Sequence, residues 1–405
     1  MREFIKHIPF LLLAFLIGSC SKNEFFDAKE NYIEKDGFIT ITSIPDETEV
    51  YIPSFIKIGD KECEVRAIGE KAAMNNKNLK ILHIPSTIVS IGEKAFLNTS
   101  IEELYVEDLV SWCNIDFKFS QSFGIGGTRY EASSNPLSKE TKFYVNNEEI
   151  QTLQIPDGIK KINSFTFQGL NCKKVIVGKE IFSIGIKTFN NSSLEELDMG
   201  SSLETVGKEA FANCENLKRI NLSPTLESLG IYAFGEFNNI KEVNTPSLEM
   251  FCYLKGGLDF DKPYIFNSDF TLLINGENQN EILIPYRYPI YSPGDFCLSG
   301  TNNIKIIECE EWTESTGWFS FCYCKDLEKV VLPSSINYVQ TNFEGSHSLK
   351  VLEIRSPKPP VIITLNWDQN EDLFENCILY VPQKSVNDYK ASEEWGLFKT
   401  ILPID

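Results

Sequence analysis

Asp259, Asp261 and Asp269 come nearest, in this sequence, to a set of residues that could do chemistry. Two suitably placed carboxylates are enough for glycoside hydrolysis, and these three fall outside the regular columns that organise most of the chain. Their spacing shows no pairing, and with 57 acidic against 38 basic residues, a net charge of −19, solvated loop acids need no catalytic role. Histidine offers less. Past the leader only His83 and His347 remain, and neither neighbours a nucleophile motif. Of the eleven cysteines, Cys322 and Cys324 form a Cys-x-Cys that lacks both the spacing and the second pair of a zinc site. Cys214, Cys324 and Cys377 recur at similar repeat positions, as small buried thiols in a core would. The glycine-rich "GIGGTR", Gly124 to Arg129, lacks the strand and helix that a phosphate-cradling loop requires. No catalytic residue, metal ligand or cofactor is assigned.

Cys20 carries a different chemistry. Arg2 and Lys6 precede the apolar run Ile8 to Ile17, and Gly18-Ser19 supply the small residues of a cleavage site. Ten apolar residues are too few to span a bilayer. The following Cys20 makes "IGSC", which resembles the lipobox of bacterial lipoproteins, in which this cysteine becomes residue 1 and is acylated. Two or more acyl chains anchor stably. The sequence is therefore read as a signal peptide over 1–19, a charged tether over 20–35 and an exported body over 36–405. The net charge disfavours nucleic acid and anionic lipid surfaces.

The body is organised by repetition. "LKILHIPSTIVSIGEKAF" at Leu79 returns as "LEELDMGSSLETVGKEAF" at Leu194 and "LKRINLSPTLESLGIYAF" at Leu217. Ile84 and Val106, then Ile155, Val177, Met199 and Leu222, fall 22 or 23 residues apart within each run. An apolar residue two positions earlier puts a pair on one face of a short strand. Ile91, Ile162, Ile184, Val206 and Leu229 follow the anchor by seven, and Phe96, Phe167, Phe189, Phe211 and Phe234 by twelve. Gly92 is read as permitting a tight turn. One coil cannot stand alone: burying five or six such side chains gives roughly 10 kcal/mol, and ordering its backbone costs at least about twice that. Coils must stack. Weaker units at Val243, Ile282, Ile307, Val330, Leu352 and Leu379 bring the array to about twelve rungs.

Two inserts, at about 107–150 and 246–280, interrupt the period. Each opens on a helix-like phrase, "DLVSWCNI" or "SLEMFCYL", and closes with an apolar residue before Asn (Val145, Ile274), which reads as a hairpin leading into fresh coils.

The rhythm of Leu79 to Phe96, with its cysteine in "AFANC" at Cys214, resembles the BspA-like leucine-rich-repeat proteins of bacterial surfaces. The likeness runs from about Asp36 to the ending "CILYVPQKSVNDYKASEEWGLFKTI", similar to that family's closing cap at about 377–405. It implies a leucine-rich-repeat right-handed superhelix with short parallel strands and short turn or helical return segments. It further implies surface display and adhesion, with an extracellular protein or glycan as partner. Tyr288 and Tyr291 in place of aliphatics, and Phe343 one place early, depart from the pattern.

Binding residues are sought where the repeat points outward. Glu196 and Asp198, Arg219 and Asn221, and Glu242 and Asn244 flank the inward residue of three consecutive rungs and should form a polar strip. Trp312 and Trp318 are the other candidates, as aromatics able to stack on sugars or anchor a protein. The reading is a lipid-anchored, non-catalytic surface solenoid on the bacterial cell envelope, at the outer membrane facing the exterior. A polysaccharide-processing enzyme with acids in the inserts, and a purely structural spacer, are the alternatives.

Overall fold

The computed structural model describes residues 24–404 apart from 125–126, 132–133, 236–238, 257–268, 288–296, 342, 365–366 and 368–369. These residues form a parallel β-solenoid with little helix. The chain divides into two compact units. One holds the residues up to Gln151 together with Ile162–Cys172, and the other holds Thr152–Lys161 and Lys173 onward.

In the first unit the strands Glu49–Tyr51, Ile81–Ile84, Glu103–Val106 and Lys142–Val145 pair in parallel and in register. Alternation turns Leu82, Ile84, Leu104 and Val106 into the core. A second sheet on the return path runs Lys61–Ile68, Ser90–Ile91 and Asp116–Phe117. Residues 24–35, read above as tether, are built into this unit. Tyr32–Lys35 pairs antiparallel with Phe38–Ile41 across Asp36 and Gly37, whose φ of 55° and 82° make the left-handed turn such a hairpin favours. Phe26 and Tyr32 are buried. What remains of the tether lies outside the described residues.

In the second unit Thr152–Gln154, Lys174–Ile176, Glu196–Asp198, Arg219–Asn221, Glu242–Thr245 and Thr271–Ile274 form one parallel sheet. Another runs from Glu281–Ile284 through Ile306–Cys309, Lys329–Leu332, Val351–Ile354 and Ile378–Val381 to Thr400–Pro403. The phenylalanine column is a stack: Phe211 lies 5.2 Å from Phe189 and 5.6 Å from Phe234, rings within 15° of parallel.

Those phenylalanines sit on turns, not helices. Lys94, Lys187, Glu209 and Tyr232 all have positive φ, near 55°. The flipped backbone turns alternate N–H groups toward the next coil: Phe189 donates to Ala210 O at 2.7 Å and Phe211 to Ala233 O at 2.7 Å. A third hydrogen-bonded ladder thus joins coil to coil where neither strand nor helix exists. The glycine of the Ile-Gly pair has another reason than the one read from sequence. A Cβ on Gly92 would lie 2.4 Å from Glu70 N, and one on Gly230 would lie 2.4 Å from Lys208 N. Neighbouring backbones approach too closely there for any side chain.

Each insert opens on a five-residue helix, Leu109–Cys113 or Leu248–Cys252, capped by Asp108 or Ser247 accepting from the N–H of Ser111 (2.8 Å) or Met250 (3.1 Å). Each closes on a hairpin: Val145 faces Glu148 across Asn146-Asn147, and Ile274 faces Glu277 across Asn275-Gly276, all four turn residues at positive φ. The strands leading into those hairpins are rungs in their own right, centred on Phe143 and Leu272. Further rungs at Val50 and Ile401 also escaped the spacing count. At the C-terminus, Trp395 Nε1 donates to Pro360 O at 2.8 Å, and Tyr389 Oη to Ser356 O at 3.1 Å. Their rings, with Trp367, Phe374 and Phe398, cover the last coil.

Candidate functional site

In the second unit, register places Glu196 beside Arg219 and Glu242, and Asp198 beside Asn221 and Asn244. The inward neighbours Leu197, Ile220 and Val243 are buried, so the two columns face outward. The first column is a charge ladder: Lys174 Nζ lies 3.3 Å from Glu196 Oε2, and Arg219 pairs with Glu196 Oε1. The Arg219 guanidinium, aided by Lys174, holds the Glu196 carboxyl below its usual range. The second column is uncharged beyond Asp198. Asn221 is exposed and accepts from Asn244 Nδ2 at 3.3 Å. Asp198 Oδ1 accepts from Gly200 N at 2.9 Å, and Asn244 Oδ1 from Gly276 N at 2.8 Å. These side chains share one outward face, and some of their acceptors are already engaged by the fold.

The two tryptophans part company. Trp312 is 71% exposed, at φ 76°, on the turn after the strand Ile306–Cys309. Trp318 is half-buried beside Phe319, ring centroids 6.3 Å apart.

The residues weighed for chemistry resolve into structure. Asp259 and Asp261 lie outside the described residues. Asp269 accepts from Asn302 Nδ2 at 3.0 Å and lies 3.3 Å from Lys325 Nζ. The Asn302 hydrogen bond, with Lys325 and Lys241, holds its carboxyl below the usual range, the reverse of what a general acid needs. The described residues of "GIGGTR" belong to two antiparallel strands, Ser120–Gly124 and Gly127–Glu131. The ten described cysteines are all buried. Cys214 and Cys324 each donate to a carbonyl of the preceding coil, Phe189 O at 3.2 Å and Leu298 O at 3.1 Å. Burial pushes the thiols of Cys113, Cys324 and Cys377 up to about 12, which leaves them protonated and unreactive. Among the described residues no three His, Cys, Asp or Glu gather as metal ligands, and no helix is long and apolar enough to cross a membrane.

One feature of the first unit escaped sequence reading. Tyr51, His83, Tyr105 and Tyr144 share one register position on four successive rungs. Their rings stack in one ladder, with centroids 3.8, 4.6 and 4.4 Å apart and planes within 17°. Tyr51 Oη donates to Glu49 Oε1 at 2.6 Å, His83 Nε2 lies 3.0 Å from the same oxygen, and Tyr105 Oη donates to Glu103 Oε2 at 2.7 Å. Burial, then the Glu49 hydrogen bond and charge, pushes the Tyr51 hydroxyl up to about 12. The signal was in the sequence: one column aromatic four times running. Two of its members stand in rungs the spacing count missed, so the column was never assembled.

The repeat pattern of residues 40–122, 139–252 and 275–379 matches the BspA type leucine rich repeat region, in six copies. Among solved structures, a leucine-rich repeat protein from Bacteroides ovatus is 18% identical, over 92% of this chain and 98% of that one, with a TM-score of 0.45. A leucine rich cell surface protein from Faecalibacterium prausnitzii is 16% identical, over 93% of each chain, with a TM-score of 0.43. The pneumococcal vaccine antigen PcpA is 16% identical, over 93% of this chain and 98% of that one, with a TM-score of 0.37. No curated protein matches the sequence.

Proposed function

This chain belongs to the BspA type leucine-rich repeat family, and from that premise we propose that it is a lipid-anchored bacterial surface protein that binds a macromolecule, protein or glycan, without catalysis. The observation that carries the reading is the outward strip of the second unit. Asp198, Asn221 and Asn244 stand in register on consecutive rungs, offering polar groups at about 5 Å intervals on a rigid sheet. Such a row suits an extended ligand, and its rigidity limits the entropy lost on binding. The anchor is Cys20, and the outer membrane facing the exterior is the location that suits an adhesin.

A glycan array and a pull-down from host matrix with residues 21–405 identify the ligand. Calorimetry then compares the triple change Asp198→Ala, Asn221→Ala, Asn244→Ala with the pair Trp312→Ala, Trp318→Ala. Loss of at least tenfold in affinity, about 1.4 kcal/mol, in the triple variant is the expected result. Wild-type affinity there with loss in the tryptophan pair moves the site to the turn bearing Trp312, and wild-type affinity in both removes both sites. For the anchor, Cys20→Ser should abolish incorporation of labelled fatty acid; continued labelling would overturn the lipoprotein reading.

A further inference from the structure

The first unit turns an apolar face to solvent beside the point where the chain enters it. Phe38 and Phe55 partner Glu64 from its two sides, on the strands Phe38–Ile41 and Phe55–Ile58 that flank Lys61–Ile68. Their neighbours Ile39, Ile56, Cys63 and Val65 are buried, so both rings stand on the outward face, about 10 Å apart at the spacing of a sheet. Ile33, on the edge strand Tyr32–Lys35, opposes Thr40 on that same face. Ile33 is 59% exposed, Phe55 51% and Phe38 40%. Glu64 is already met: Arg66 Nε lies 2.9 Å from its Oε2, and the guanidinium covers the Phe38 ring at 4.1 Å. Lys35 opposes Phe38 and Lys57 opposes Glu62, all on exposed rim positions apart from the ring itself.

What covers this face follows from where the chain comes in. The described residues begin with the helical turn Glu24–Asp27, which packs against the strand Phe55–Ile58 and is fixed by buried Phe26. Cys20, the lipid-bearing residue of the function proposed above, lies four residues before Glu24, and four residues reach at most about 14 Å. A body tied so closely to its acyl chains cannot stand clear of the bilayer, and the strand beside the tie carries Phe55. We infer that this face of the first unit rests on the lipid surface itself, with Ile33, Phe38 and Phe55 in the interfacial layer. Their burial adds to the hold of the acyl chains. Lys35, Lys57 and Arg66 suit such a layer, since their stems lie along apolar groups and their heads stay at the level of the phosphates. With Glu62 at the rim and a net charge of −19, attraction to anionic headgroups does not carry the contact; apolar insertion does, and a zwitterionic surface suffices. The inference rests on the lipidated reading above and adds to it a contact made by the body.

Two experiments separate this contact from the anchor. In the first, residues 21–405, which carry no lipid, are floated with phosphatidylcholine vesicles. The body should bind, and Ile33→Ser with Phe38→Ser and Phe55→Ser should lower its partition at least tenfold. Leu283→Ser with Val361→Ser, comparably exposed in the second unit, should change it less than twofold. In the second, the same residues are tied by an amino-terminal hexahistidine tag to phosphatidylcholine vesicles that hold a nickel-chelating lipid. Compared with the wild type, Phe55→Trp should add emission that brominated lipid quenches, and Leu283→Trp should add emission that it does not. Melting checks the fold of the triple variant; should that variant unfold, the quenching at Phe55→Trp decides. Equal loss in both serine variants, no flotation at all, flotation only with anionic lipid, or unquenched Phe55→Trp would overturn the docking. So would a dimer that the triple variant abolishes, which would give the face to a second copy. Labelled fatty acid on Cys20 reads the anchor separately. Label without quenching at Phe55→Trp leaves the anchor and removes the docking, and quenching without label does the reverse.

Discussion

Phe211 is fully buried between Phe189 and Phe234. Phe211→Ala should therefore cost about 3–5 kcal/mol, whereas Lys218→Ala, exposed on a nearby coil, should stay within about 0.5 kcal/mol. Urea unfolding of the two variants measures this, and equal midpoints would refute the register. Glu353 sets a pH dependence. Burial alone would raise its carboxyl, but Lys329 at 2.8 Å and Arg355 at 2.9 Å prevail and hold it below the usual range. A carboxyl depressed in the fold stabilises above its unfolded value, about 4.3, and that contribution is lost as pH falls through the folded value. Melting temperature should drop below about pH 4, and Glu353→Gln should flatten the drop. An unchanged acid limb in that variant would show that other carboxylates govern it.

At the scale of the element, strands of two to four residues mean little alone. Ser228–Leu229 has two residues, and its place is set by pairing with Thr205–Val206 and Lys255–Gly256. The coil-to-coil approach at glycine is what makes such short pairings close. Gly230→Ala would push a Cβ to 2.4 Å from Lys208 N and 2.5 Å from Gly207 C, both backbone atoms. The coils must then part, at about 1–3 kcal/mol or more. Gly158→Ala meets nothing within 4 Å, yet sits at φ 89°, so backbone strain alone should cost it less, about 1–2 kcal/mol. Thermal melts of the pair separate close packing from strain, and a larger loss at Gly158 would contradict this account.

At the scale of the molecule, the ends are where a solenoid is exposed, because each coil relies on a neighbour. The C-terminal end is covered by Tyr389 and Trp395, which also satisfy the carbonyls of Ser356 and Pro360. The N-terminal stretch before Asp36 contributes buried Phe26 and the strand Tyr32–Lys35. A body cut at Asp36 should therefore melt several degrees below one cut at Ser21, by differential scanning calorimetry. Equal melting would mean that the first hairpin contributes nothing to its unit.

By itself the sequence determined the repeat, and with it the fold class. Period, strand pairing and inward columns are all local regularities, restated in coil after coil from Leu79 to Phe234. The helix-like phrases of the inserts and the hairpins after Val145 and Ile274 were equally local, whereas the capping by Asp108 and Ser247 came from the structure. Only the tertiary structure decided what neighbouring coils do to one another. Gly92 and Gly230 are required by a backbone one coil away. The positive φ of Lys94 and Glu209 serves hydrogen bonds to the next coil. The tyrosine ladder needs Tyr51 and Tyr144 to be aligned with His83 and Tyr105 across gaps of 32 and 39 residues. A spacing rule built on steps of 22 cannot see across those gaps. Hydrogen bonding between parallel strands aligns residues by space, indifferent to how much chain lies between them.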